Sequence, residues 1–130
     1  VATANQRLHG TNLPEIESDM FARLADQKFD LIVTNPPYIA TSEISLMDKA
    51  VLDYEPPVAL FADEHGLGFY HRLFESIGDH LAPHGQLFGE TGFDQEQGIK
   101  DLCHQVAPNA QIQTRHDMAD RMRMIHAWNF

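Results

Sequence analysis

The sequence predicts an α/β domain with a mostly parallel sheet that ends in an antiparallel pair of strands. Three observations carry that reading. Phe29-Asp30-Leu31-Ile32-Val33 is a short apolar run with β-branched residues, the pattern of a strand buried on both faces of a parallel sheet. Phe69, Tyr70, Leu73, Phe74, Ile77 and Leu81 recur at helical spacing and belong to one core-facing helix. Residues 110–115 and 122–128 alternate loosely about a polar linker, which predicts two terminal strands paired antiparallel at one sheet edge.

Taken in order, residues 1–8 read as the end of a helix that stops at His9-Gly10, with a loop through Pro14. Ile16 before Glu17-Ser18-Asp19 predicts a short strand ending in polar residues. Met20, Phe21, Leu24 and Ala25 fit one face of a short helix capped by Ser18 or Asp19. The buried strand follows. Residues 40–63 form a long connection of lid-like length, with helical character at 44–51 and punctuation at Tyr54-Glu55-Pro56-Pro57. Gly66-Leu67-Gly68 opens the next helix, Pro83-His84-Gly85 is a tight turn, and 86–90 is a strand ending at Thr91-Gly92. A helix over 98–106 completes the series.

The strand at 29–33 runs into Thr34-Asn35-Pro36-Pro37-Tyr38-Ile39. Neither proline has an N–H for a sheet ladder, so pairing must stop there. Each proline also drives the residue before it towards an extended shape. A stiff polar tip results at the carboxyl end of a strand, where open α/β sheets bind ligands. The Asn35 carboxamide offers an acceptor and a donor pair, with the Pro36 carbonyl fixed beside it. Together they can take both hydrogens of a substrate –NH2 and direct its lone pair. Tyr38 adds an aromatic face for a planar amide or base. Such a tip makes a poor nitrogen nucleophile attack chiefly by positioning it.

Length and charge bound the rest. The 130 residues suit one domain, 1–130, and a 43% hydrophobic content supports a globular core. No apolar run is long enough to span a membrane, and Val1-Ala2-Thr3-Ala4 does not begin a signal peptide. The single cysteine, Cys103, reads as a small buried residue and fits a reducing, cytoplasmic setting. A net charge of −10 with nine Lys and Arg argues against a nucleic-acid backbone as main partner. The histidines form no metal set: His80 and His84 are four apart, but Pro83 lies between them.

Asn-Pro-Pro-Tyr after such a strand resembles the amino-methylating branch of S-adenosylmethionine (SAM) methyltransferases. The downstream residues narrow the resemblance to the protein-(glutamine-N5) methyltransferases, the HemK/PrmC group that modifies class-1 peptide-chain release factors. The matching pieces are Asn35-Pro36-Pro37-Tyr38-Ile39, Tyr54-Glu55-Pro56 with Ala59-Leu60, and His65-Gly66-Leu67 with Tyr70. Leu81-Ala82-Pro83-His84-Gly85-Gln86-Leu87, Glu90-Thr91-Gly92 with Gln95, Asp117 and Arg121-Met122-Arg123 complete them.

The resemblance implies a Rossmann-like, SAM-dependent fold and methyl transfer to the side-chain amide of a glutamine. Asn35 and Pro36 would be catalytic. Asn35, Pro36, Pro37, Tyr38, Glu55 and Pro56 would bind substrate. Asp19, with Asn35, would touch the cofactor. Glu90 would lie near the substrate side without a chemical step. The family's Gly-rich loop and ribose carboxylate have no match, so the expectation is a partial catalytic domain lacking the first two strands, inactive alone. A class-1 release factor is the implied partner.

Two other readings stand beside it. A nucleic-acid amino-methylase would stack a flipped base on Tyr38 in a basic cleft, which the acidic charge opposes. A non-catalytic truncated fold would act through an exposed sheet edge, which could also bring about an oligomer.

Overall fold

The run at 29–34 forms strand β1 (Phe29–Thr34), paired in parallel with β4 (Leu81–Glu90). The computed structural model describes the backbone of all 130 residues and every side chain except those of Leu46 and Glu64. Beyond β4 lie β6 (Met122–Trp128) and then β5 (Gln111–His116), both pairings antiparallel, giving the order β1-β4-β6-β5. The terminal strands therefore pair as the sequence predicts, with β6 inside and β5 at the edge. The chain is a mixed α/β fold.

Helices α5 (Gly68–Ser76) and α6 (Glu96–Val106) supply the core with the sheet. Tyr70, Leu73, Phe74 and Ile77 from the α5 region and Ile99 and Cys103 from α6 meet Leu87, Ile125 and Ala127 of the strands. In the ladder Ile32 stands beside Leu87, and Leu87 beside Ala127, so these side chains share the helix-covered face. Val33, Phe88 and His126 share the opposite face.

That register overturns one expectation. Strand β1 is not buried on both faces: Leu31 is 55% and Val33 70% exposed. The helices lie on one side, and β1 is an outer strand of its sheet. An apolar run tells that a strand can be buried, not what covers it.

Helix α1 (Ala2–His9) ends as expected at Gly10, whose φ of 65° is the left-handed cap that glycine adopts freely. The strand expected around Ile16 is absent; residues 11–18 carry no ladder, and the Gln6 side chain holds the backbone of Leu13 instead. The helix expected from Met20 is also absent. Left-handed φ values at Met20 (48°) and Ala25 (45°) break 19–27 into successive three-residue turns. Ser18 still acts as a local cap there, accepting a hydrogen bond from the Arg23 N–H.

The connection after Asn-Pro-Pro-Tyr is more ordered than a lid of coil. It contains β2 (Ile39–Ala40), a 3-10 helix (Thr41–Leu46), α2 (Lys49–Tyr54), α3 (Pro57–Leu60), β3 (Phe61–Ala62) and α4 (Asp63–Gly66). Strands β2 and β3 pair in parallel as a separate ribbon. Asp48 caps α2 through the Ala50 N–H, and Pro57 opens α3, where a missing N–H costs nothing.

Leu81, placed on the helix by spacing, instead begins β4: α5 stops at Ser76, a 3-10 turn covers Ile77–Asp79, and the chain reverses. The turn at Pro83-His84-Gly85 is present as a bulge inside β4, where the register jumps from Phe29↔Leu81 to Leu31↔Gln86. Helix α6 starts two residues earlier than expected, at Glu96.

Candidate active site

The di-proline corner stands at the carboxyl end of β1, beside the carboxyl end of β4. Thr34 is level with Gly89 in the ladder, so Asn35 and Glu90 leave adjacent strands side by side. Pro36 is buried, Pro37 and Tyr38 are half-buried, and Asn35 is exposed. Among the described residues the Asn35 carboxamide has no hydrogen-bond partner, and it lines a cavity of about 490 Å³ with Val33, Glu90 and Arg123. A buried proline anchors the corner, while the carboxamide before it faces outward.

Three contacts hold the far side of the corner. The Tyr38 hydroxyl donates to Glu90 Oε1 at 3.1 Å. The Tyr38 carbonyl accepts from Gln95 Nε2 at 2.7 Å. Strand β2 then fixes Ile39 and Ala40 against Phe61 and Ala62. Below, the Tyr70 hydroxyl donates to the Glu90 backbone carbonyl at 2.6 Å. Gly89 makes room for that hydroxyl, because a Cβ there would run into it. Burial pushes the phenol pKa of both tyrosines up, and the Glu90 carboxylate adds to the shift. Both therefore stay protonated as donors at neutral pH.

The other expected site residues are distributed unevenly. Asp19 and Pro37 line one cavity of about 500 Å³ with Met20, Phe69 and Arg72. The Asp19 carboxylate there is engaged: Arg72 Nη2 reaches its two oxygens at 2.9 and 2.8 Å. Glu55 and Pro56 sit in the extended link between α2 and α3, exposed, and line neither of these cavities. Asn35 and Asp19 thus open onto different cavities, with Pro37 behind the corner from Asn35.

Gln95 and Gly66 were not among the residues expected to bind or act, yet they touch the corner directly, whereas Glu90 stands at the end of the neighbouring strand where it was expected. Their signal was present as Glu-x-Gly-x-x-Gln and His-Gly-Leu, but spacing alone gives no geometry. Away from the corner, Glu96 gathers Lys100, Thr114 and His116 at 2.6, 2.6 and 3.3 Å. The Lys100 and Thr114 hydrogen bonds hold its carboxyl at about 2. Cys103 is buried, and desolvation pushes its thiol up to about 11. Among the described residues no helix is long and apolar enough to cross a membrane.

No protein-family model matches the chain. Several curated relatives do. The chain is 34% identical over 125 residues to the release factor glutamine methyltransferase of Lactococcus lactis, an alignment covering 96% of this chain and 46% of that protein. It is 38% identical over 109 residues to that of Streptococcus pneumoniae, covering 84% of this chain and 39% of the relative. Over 87 residues it is 44% identical to a bifunctional methyltransferase of Rickettsia conorii, covering 67% of this chain and 17% of that protein. The chain thus spans less than half the length of these relatives.

Proposed function

We propose that this chain, which belongs to the release factor glutamine methyltransferase family, carries the acceptor half of a SAM-dependent methyltransferase acting on a glutamine side-chain amide. The single observation that supports it is the exposed Asn35 carboxamide, unpartnered among the described residues, on a clamped di-proline corner at the sheet's ligand edge.

The chain's own residues do their part by orientation. Asn35 and the Pro36 carbonyl accept the two amide hydrogens, which polarises both N–H bonds and aims the nitrogen lone pair. Holding the NH2 in that way makes a strong general base unnecessary. The amide proton becomes acidic only as the nitrogen loses its lone pair, so it can leave late, to the Pro36 carbonyl or to water. Tyr38 would offer its ring to the acceptor's chain from the neighbouring cavity that it lines with Ile39 and Phe93.

The cofactor's purine end suits the cavity between Asp19 and Pro37. Met20 and Phe69 give it apolar walls, and Asp19 gives it an acceptor that enters as one half of the Arg72 pair. When bound, SAM supplies an electrophilic methyl group on a sulfonium. Asp19 is the residue of this chain that would hold it, and Asn35, on the other cavity, would meet only its methyl end. Glu55 and Pro56, on the long connection, would meet the protein substrate further out. A class-1 release factor, through its glutamine-bearing loop, is the acceptor this reading names.

Incubating the intact protein with methyl-labelled SAM and either a class-1 release factor or duplex DNA tests the assignment. Label on a release-factor glutamine supports it. Label on DNA adenine, or on neither acceptor, sinks it.

A further inference from the structure

We propose that Gln95 is the positioning residue of the acceptor corner, holding the Tyr38 backbone and through it the heading of Asn35 and Pro36. The inference rests on the reading of that corner given above. Gln95 closes the Glu90-x-Gly92-x-x-Gln95 pattern and has no part in the chemistry assigned so far.

The residue is almost fully buried, at 8% exposure, at the N-cap of α6. There it joins three separate stretches of chain. Nε2 donates to the Tyr38 carbonyl at 2.7 Å and to the His65 carbonyl at 3.2 Å. Oε1 accepts from the Gly92 N–H at 2.9 Å. Two carbonyls need two N–H donors and one N–H needs an oxygen, which is the inventory of a carboxamide. A carboxylate of the same length would meet only the Gly92 N–H and would oppose both carbonyls. Gly66, with φ 84°, completes the junction, because a Cβ there would run into Gln95 Nε2 and the Tyr38 carbonyl oxygen.

The link to Asn35 is short and stiff. Pro36 and Pro37 lie between Asn35 and Tyr38, and each proline ring fixes its own φ and restrains its predecessor. A shift of the Tyr38 carbonyl is therefore passed along to Asn35 rather than absorbed. A misplacement of about 1 Å in a reacting group costs on the order of a hundredfold in rate.

The test is steady-state kinetics on the intact protein. Gln95→Met keeps length and volume and removes all three hydrogen bonds. Turnover on the glutamine acceptor should fall on the order of a hundredfold, with the KM for SAM within about threefold of wild type, because the cofactor cavity is not touched. Gly66→Ala should lose turnover in the same way. The double variant should be no worse than the poorer single, since both disrupt one junction. Full turnover in Gln95→Met, or a loss carried in the SAM KM alone, overturns the positioning role. If Gln95→Met does not fold, Gln95→Glu, which keeps the Gly92 bond, is read by the same criteria. If neither folds, Gln95 serves stability and the proposal falls. A wild-type protein that methylates no glutamine overturns the reading of the corner instead, and so is told apart from a failure of this inference.

Discussion

The hydroxyl of Tyr38 donates to the carboxylate of Glu90 across 3.1 Å, joining the ends of two neighbouring parallel strands. The bond spans 52 residues of sequence, so it is made by the sheet and not by any local turn. It fixes the Tyr38 ring against Glu90, where the ring lines a cavity with Ile39 and Phe93 that is separate from that of Asn35.

Burial and Glu90 together push the Tyr38 phenol above its ordinary value of 10.0. Deprotonation would remove the donor and leave two negative charges facing each other. Replacing Glu90 by Gln should therefore bring the Tyr38 titration back towards 10. Ultraviolet titration of wild type, Glu90→Gln and Tyr38→Phe isolates that phenol; an unchanged curve in Glu90→Gln would refute the coupling.

Gly89 and Tyr70 make the second contact beneath the corner. Gly89→Ala forces a methyl against the Tyr70 hydroxyl, and overpacking of that kind costs about 1–3 kcal/mol. Tyr70→Phe leaves the Glu90 carbonyl without its donor, at a cost of about 1–3 kcal/mol if no water replaces it. Urea unfolding of each variant measures the loss. Because both changes act on one contact, the double variant should lose less than the sum.

Much of this was legible from residues alone, and the failures have physical causes. Asn35-Pro36-Pro37-Tyr38 announced a stopped strand with a rigid polar tip because proline chemistry is local. The α5 stripe was equally legible until Leu81, where periodicity continued but the backbone had already turned into β4. The strand at Ile16 and the helix from Met20 failed because tertiary partners decide short segments, and here neither segment has a ladder or an unbroken helical backbone. Exposure of Leu31 and Val33 was invisible because it depends on what covers the sheet. Gln95 carried a visible pattern, but its partners Tyr38 and His65 come together only in the fold.

Glu96 makes acid sensitivity specific. Its carboxyl titrates near 2 in the folded chain against an ordinary 4.5, so the folded state favours the ionised form. The stabilisation it adds is fully present above about 4.5 and is lost as pH falls towards 2. The melting-temperature gap between wild type and Glu96→Gln should close as pH falls from 5 to 2. A gap that widens over that range would reverse the sign and refute the assignment.

Cys103 should be inert while the chain is folded. It is buried, with its thiol pushed up to about 11, so little thiolate exists at pH 8 and reagents cannot reach it. A chromogenic thiol reagent should react with wild type only at the rate of unfolding, and fully in denaturant. Immediate stoichiometric reaction in native buffer would contradict the packing of α6.

The acceptor corner itself is tested most directly by Asn35→Ala in the intact protein, with turnover and SAM affinity measured separately. Loss of one aligned polar group should lower turnover on glutamine by about 10²–10³-fold while SAM affinity stays within a few-fold. Turnover equal to wild type would mean that Asn35 does not hold the reacting amide, and the account of this corner would be wrong.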